Sequence, residues 1–212
     1  MKTIFIFLFL ISSNFDYSQS FYETIMQLNV SLSDTSNDCN YLERSANVFS
    51  RLIKDGHLEW QVWFHRSLCL VRMADLFLKS DTLMSRNKLA EAKNSIKILD
   101  SLNKNSEENK ILNLYIKIID SRLNKINSKK LKLIETEMIE IKNNNMKNPR
   151  IFVLHAYFNL KFYSKDKIRK AKSGEYLKQA EQLYDLQKPA NYEPFWGKKW
   201  CSELQKETKN NP

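Results

Sequence analysis

The sequence predicts an all-α protein of stacked antiparallel helix hairpins, an α-solenoid or a compact right-handed helical array. Three observations point there. Only three glycines and four prolines occur in 212 residues, and tight strand hairpins depend on such turn residues. Apolar residues recur three and four positions apart in nearly every segment. Finally, Ala46, Ala92, Thr136 and Ala180 stand mid-segment about 45 residues apart, each followed by a break and an apolar helix, the pattern of repeated helix pairs.

The N-terminus "MKTIFIFLFLISSNFDYSQSF" has one cation, Lys2, an apolar run from Ile4 to Ile11, then polar and small residues. This reads as a secretory signal peptide over residues 1–20, cut between Ser20 and Phe21 or just before Gln19. The run is far shorter than the roughly 20 residues that span a bilayer, and the first cysteine, Cys39, comes too late for a lipoprotein. The expectation is therefore an exported chain without an integral membrane segment, with one helical domain over residues 21–208 and a disordered tail at 209–212. Hydrophobic content of 42% supplies a core for such a domain and argues against general disorder.

The elements follow in order. Ala46 and Phe49 belong to a first stripe. In "EWQVWFHRSLCLVRM", Trp60, Trp63, Phe64, Ser67, Leu68, Val71, Ala74 and Leu78 share one broad helical side, with Arg66 and Arg72 off it and assigned to the surface. Leu89, Ala92, Ile96, Leu99 and Leu102 form the next stripe. After the cap-like "NSEEN" at 105–109 come Ile111, Tyr115, Ile118 and Arg122 on one face, with Leu114 and Ile119 alongside. Leu131, Ile134, Met138 and Ile141 precede the break "NNNMKNP". Ile151 to Tyr163 is apolar on nearly every side, which predicts a helix buried between neighbours. Tyr176, Leu177, Ala180, Leu183 and Tyr184 run into the Pro189 to Pro194 break, and a short last helix follows Pro194.

These motifs resemble small exported bacterial proteins with tetratricopeptide-like (TPR-like) repeats. The resemblance rests on Ala46-Asn47-Val48-Phe49-Ser50-Arg51, the aromatic helix from Trp60 to Leu68, Leu89 with Ala92 and Ile96, and Pro194-Phe195-Trp196-Gly197. It covers residues 21–208 and implies a TPR-like helical fold, with no catalytic residues and no cofactor. Ala180 and Tyr184 keep the small residue and its bulky partner of the standard pattern, whereas the spacing exceeds its period of about 34 residues and its helical Gly is missing.

The net charge is +10, and it stays so without residues 1–20, which hold one Lys and one Asp. Such charge attracts phosphate, but lysine outnumbers arginine about three to one and is interleaved with acids, as on a solvated helix face, so no nucleic-acid partner is expected. His57, His65 and His155 lack metal-ligand spacing. Cys69 lies one helical turn from His65, yet a thiol among Leu68, Leu70 and Val71 reads as a buried small hydrophobe. Cys39 and Cys201 pair only if the two ends of the chain meet. Three glycines leave no phosphate loop, and Glu107 with Glu108, or Glu135 with Glu137, sit at helix starts or on exposed faces.

The concentration of Tyr192, Phe195, Trp196 and Trp200 near the chain end either caps the last hairpin or forms a recognition patch, because Tyr and Trp concentrate at binding hot spots. The first functional reading is a non-enzymatic interaction module binding a protein or peptide of the cell envelope through these four residues. The alternative is an exported small-ligand carrier or enzyme with a site between helices that uses His65 or His155. A third reading, association with the envelope by charge alone, predicts loss at high salt.

Overall fold

The computed structural model describes residues 21–102, 106–124 and 126–210. The expected signal peptide lies outside them. Nine helices occur among the described residues, and the all-α expectation is met. Helix α1 spans residues 21–35. The rest are α2 Cys39–Lys54, α3 Trp60–Phe77, α4 Thr82–Leu102, α5 Glu107–Asn124, α6 Ser128–Asn144, α7 Pro149–Phe162, α8 Lys167–Leu186 and α9 Lys198–Asn210. Helix α9 thus enters the expected tail, since Lys209 and Asn210 are helical.

Short polar residues start these helices. Asp38, Asn127, Asn148 and Asp166 each take an orphan N–H of the following turn on the side chain, and Pro149 occupies the first turn of α7, where no N–H is needed. Gly56, with φ 96°, ends α2 in the left-handed conformation that a side chain resists.

From α2 onward successive helices pack on one another, and the odd-numbered helices α3, α5, α7 and α9 also touch in turn. The first three form an inner layer, which explains their composition, while α9 lies over it and, among its described residues, buries only Cys201 and Leu204. Every residue of α7 from Pro149 to Leu160 is buried, and α3 buries Val62, Phe64, Leu68, Cys69, Val71 and Ala74. Helices α4, α6 and α8 bury one stripe each. Ala46, Ala92 and Ala180 are all buried, but Thr136 faces solvent and its hydroxyl bonds back to Lys132. The repeat therefore lapses in α6, where Ile134 and Met138 hold the buried positions.

The two ends of the chain meet. Asn37 beyond α1 donates to Glu203 on α9 at 2.6 Å, and the N–H of Phe195 donates to Asp34 at 3.0 Å. Helix α9 and the segment before it thus cover the inner layer, which an open solenoid leaves as a groove. Cys39 and Cys201 are nevertheless both free, and the Cys201 thiol donates to Leu177 O. Among the described residues no helix is long and apolar enough to cross a membrane.

Candidate functional site: two clefts beside the C-terminal segment

Helix α8 ends at Leu186, and residues 187–197 reach α9 through a turn in which Tyr192 (φ 62°) and Gly197 (φ 96°) are left-handed. Gly197 is required by a close approach: a Cβ there would collide with the Tyr184 hydroxyl, which donates to Trp196 O at 2.7 Å. This turn separates the four aromatic residues expected to act together. Trp196 is 1% exposed and lies parallel to Tyr115, ring centroids 5.9 Å apart. It is a core residue and leaves the proposed surface patch. Trp200 is half-buried on one side of α9, and Tyr192 and Phe195 are half-buried on the other side, against α1.

Trp200 borders two adjoining cavities of about 270 and 120 Å³, which share Asp75, Leu76 and Glu203 with it. Its ring packs at 5.1 Å from Tyr115 and 4.6 Å from Tyr157. Asp75 organises the floor: it accepts from Tyr115 Oη at 2.8 Å and from Arg122 at 2.7 Å, and it also takes the Tyr157 hydroxyl. Burial, reinforced by the Asp75 charge, holds both phenols well above their usual range, so both remain proton donors. Lys161 stands 5.7 Å from the Tyr157 ring centre and pairs with Glu207 at 2.6 Å. Lys79 and Arg122 join it on the rim with Asp75, Glu203 and Glu207, so the aromatic wall is edged by charges of both signs.

The second cleft, about 340 Å³, lies between α1 and the segment 189–195. Its apolar walls are Val30, Pro189 and Phe195, and its charged lining residues are Glu23, Asp34 and Glu193. Behind it is a buried polar cluster. His65 Nε2 lies 3.1 Å from Tyr192 O, which only accepts, so a proton sits on Nε2, and Nδ1 lies 2.8 Å from the Ser33 hydroxyl, whose one proton also faces Val30 O at 2.8 Å. Burial pushes the His65 pKa down to about 4. The 3.7 Å approach of His65 to Asp34 is therefore not an ion pair at neutral pH. Burial pushes Asp34 up to about 7, against the pull of the Phe195 N–H, Arg150 and Arg72. Its Oδ1 has no hydrogen-bond partner.

Other expected residues stay apart from these clefts. His155, with pKa pushed down to about 4 by burial, packs on Tyr176. His57 stacks on Tyr22. Burial pushes the Cys69 thiol up to about 12, so it is no nucleophile. Among the described residues no group of His, Cys, Asp and Glu is arranged to hold a metal. Arg72, expected on the surface, is buried and donates to Ser33 O and to Asn37. Arg66, half-buried, donates to Ser50 and Ser95. Sequence reasoning missed Asp34, Asp75 and the buried Arg150, which grips Glu108 through Nε at 2.8 and 2.9 Å. A local signal existed only for Asp75, a lone carboxylate at the end of an apolar helix.

No protein-family model matches the chain, and no curated protein matches it. A similar solved structure is the HusA haemophore from Porphyromonas gingivalis, with a TM-score of 0.69 at 18% identity over 89% of this chain and 93% of that one. At this identity the likeness establishes the fold.

Proposed function

We propose that this protein is an exported carrier of a flat, carboxylate-bearing tetrapyrrole of the haem class, held against Trp200. The observation that carries this reading is the fold shared with a haemophore over nearly the whole of both chains. The Trp200 groove supports it with a site of suitable chemistry. An indole face receives a planar ring by stacking, while Lys79 offers charge to a carboxylate, and Arg122 and Lys161 can do so in exchange for Asp75 and Glu207. The alternative raised by the sequence, a small-ligand carrier, thus displaces the interaction module, which loses Trp196 to the core and its inner face to α9. No reaction is assigned to the chain.

Of the three histidines, none lines the groove, and the Tyr157 hydroxyl is already engaged by Asp75 and Arg122. The ring face and the carboxylates, rather than the iron, then carry the affinity. Both cavities are below the roughly 300–1,000 Å³ typical of enclosed ligand sites, so the ligand lies along the groove with one edge in solvent.

The test is a titration with haem and with iron-free protoporphyrin, followed by tryptophan quenching and ligand absorbance. Both are expected to bind saturably within a few-fold of one another. Trp200→Ala is expected to lose at least tenfold in affinity with an unchanged helical spectrum. Absence of saturable binding, or a Trp200→Ala variant that binds like wild type, overturns the reading.

A further inference from the structure

Exposed lysines stand at the starts of helices α6 and α8, and the Asp166 carboxylate that caps α8 is the acid among them. A helix N-terminus carries partial positive charge, so carboxylates favour it and cations disfavour it. Helix α5 obeys, with Glu107 and Glu108 in its first turn. Helices α6 and α8 have no acidic residue in theirs. Instead the exposed Lys129 and Lys130 open α6, and the exposed Lys165 and Lys167 precede and open α8. Both helices run antiparallel to α7 and so start at one end of the array, and Arg169 in the first turn of α8 reaches Glu135, two turns into α6, at 2.6 Å. Arg169 also approaches Asp166 at 3.7 Å, so the carboxylates beside the lysines are already engaged. At the same place Ile168 is 81% exposed. Lys165, Lys167 and Lys170 flank this aliphatic side chain in the sequence, and it gains nothing by its exposure to water.

We propose that this end of the helical array docks on an anionic lipid surface, the lysines meeting headgroup charge and Ile168 entering the headgroup boundary. Lysine is suited to diffuse attraction to a charged plane, and an inserted aliphatic side chain distinguishes a bilayer from a soluble polyanion. The placement has a consequence for the groove. Consecutive helices are antiparallel, so α3, α5 and α7 end where α6 and α8 begin. Lys79 just beyond α3, Arg122 in the last turn of α5 and Lys161 in the last turn of α7 therefore place the Trp200 groove near the docking end. The inference does not depend on what the groove carries.

The experiment is flotation of the chain lacking residues 1–20 with vesicles of phosphatidylcholine alone or with about one-third phosphatidylglycerol. Binding to the anionic vesicles only is expected. A lysine near such a surface contributes on the order of five-fold in partitioning, so Lys129→Glu, Lys130→Glu and Lys167→Glu together lower it at least tenfold. The same triple variant is expected to melt slightly higher, because it places carboxylates at two helix starts. Lys54→Glu, Lys188→Glu and Lys199→Glu make an equal change of charge at the other end of the array, and this variant is expected to stay within about two-fold of wild type. Ile168→Ser is expected to lose several-fold and to leave the residual binding more sensitive to salt. No flotation with anionic vesicles overturns the proposal, as does equal weakening by the two triple variants or an Ile168→Ser variant that floats like wild type.

Discussion

The two clefts beside the C-terminal segment draw on one short stretch of chain yet differ in chemistry. On the Trp200 side, the ends of α3, α5 and α7 contribute Lys79, Arg122 and Lys161 around an aromatic wall, set against Asp75, Glu203 and Glu207. On the α1 side, the charged lining residues are Glu23, Asp34 and Glu193, and a buried cluster of uncharged side chains lies behind them. Tyr192, Phe195, Trp196 and Trp200 belong to neither cleft as a set. The left-handed turns at Tyr192 and Gly197 send two of them to one side, one to the other and one into the core. Aromatic density in a sequence thus signals large burial, while the backbone between the rings decides which ring can meet a ligand.

The largest effect separates core from groove. Trp196→Ala removes a buried indole and its stacking on Tyr115, and it is expected to cost about 3–5 kcal/mol, read as a lower urea midpoint. Trp200→Ala, at a half-buried ring, is expected to cost less than half as much stability while abolishing most ligand affinity. Equal destabilisation by the two would erase the distinction between them.

Next in size is Gly197→Ala. It meets both an unfavourable φ and the Tyr184 hydroxyl, and a loss of about 1–3 kcal/mol is expected. Because the turn orients both clefts, this variant is expected to weaken ligand binding at Trp200 although it touches no groove residue. Calorimetric titration beside a melting curve checks both effects.

The pH dependence sharpens the comparison on the α1 side. The folded state holds the Asp34 proton more tightly than the unfolded chain, so its contribution is present below about 3.8 and falls as pH rises towards 7. His65 is the converse: its contribution is present above about 6.5 and falls as pH drops towards 4. Between these limits the two slopes oppose each other, and wild-type stability is expected to be nearly flat. Asp34→Asn is expected to show progressive loss on acidification from 6.5 to 4, and His65→Gln progressive loss on raising pH from 4 to 7. Urea midpoints across this range settle the matter, and parallel profiles for the two variants would refute the assignment.

The smallest effect concerns Tyr192. Replacement by Gly relieves the left-handed φ but removes a 3.3 Å hydrogen bond to Glu23 O. A net change within about 1 kcal/mol is expected, with ligand binding at Trp200 unaltered because Tyr192 lies on the other side of α9.

The sequence by itself determined what depends on near neighbours. Helical class follows from periodicity and scarce glycine, and the helix starts at Asp38, Asn127, Asn148 and Asp166 follow from short polar side chains reaching the next turn. The stripes of α4 and α8 and the uniformly apolar α7 are legible for the same reason, because one turn of helix brings their members to one face. Only the tertiary structure decided that Trp196 and Arg72 are buried, that Thr136 is exposed and that α9 covers the inner layer. It alone brought Asp34 to Phe195, His65 to Tyr192 and Asp75 to Tyr157. These partners lie 82 to 161 positions apart. Burial of a side chain is set by what is laid over it, and for this chain the covering segment is its own C-terminus.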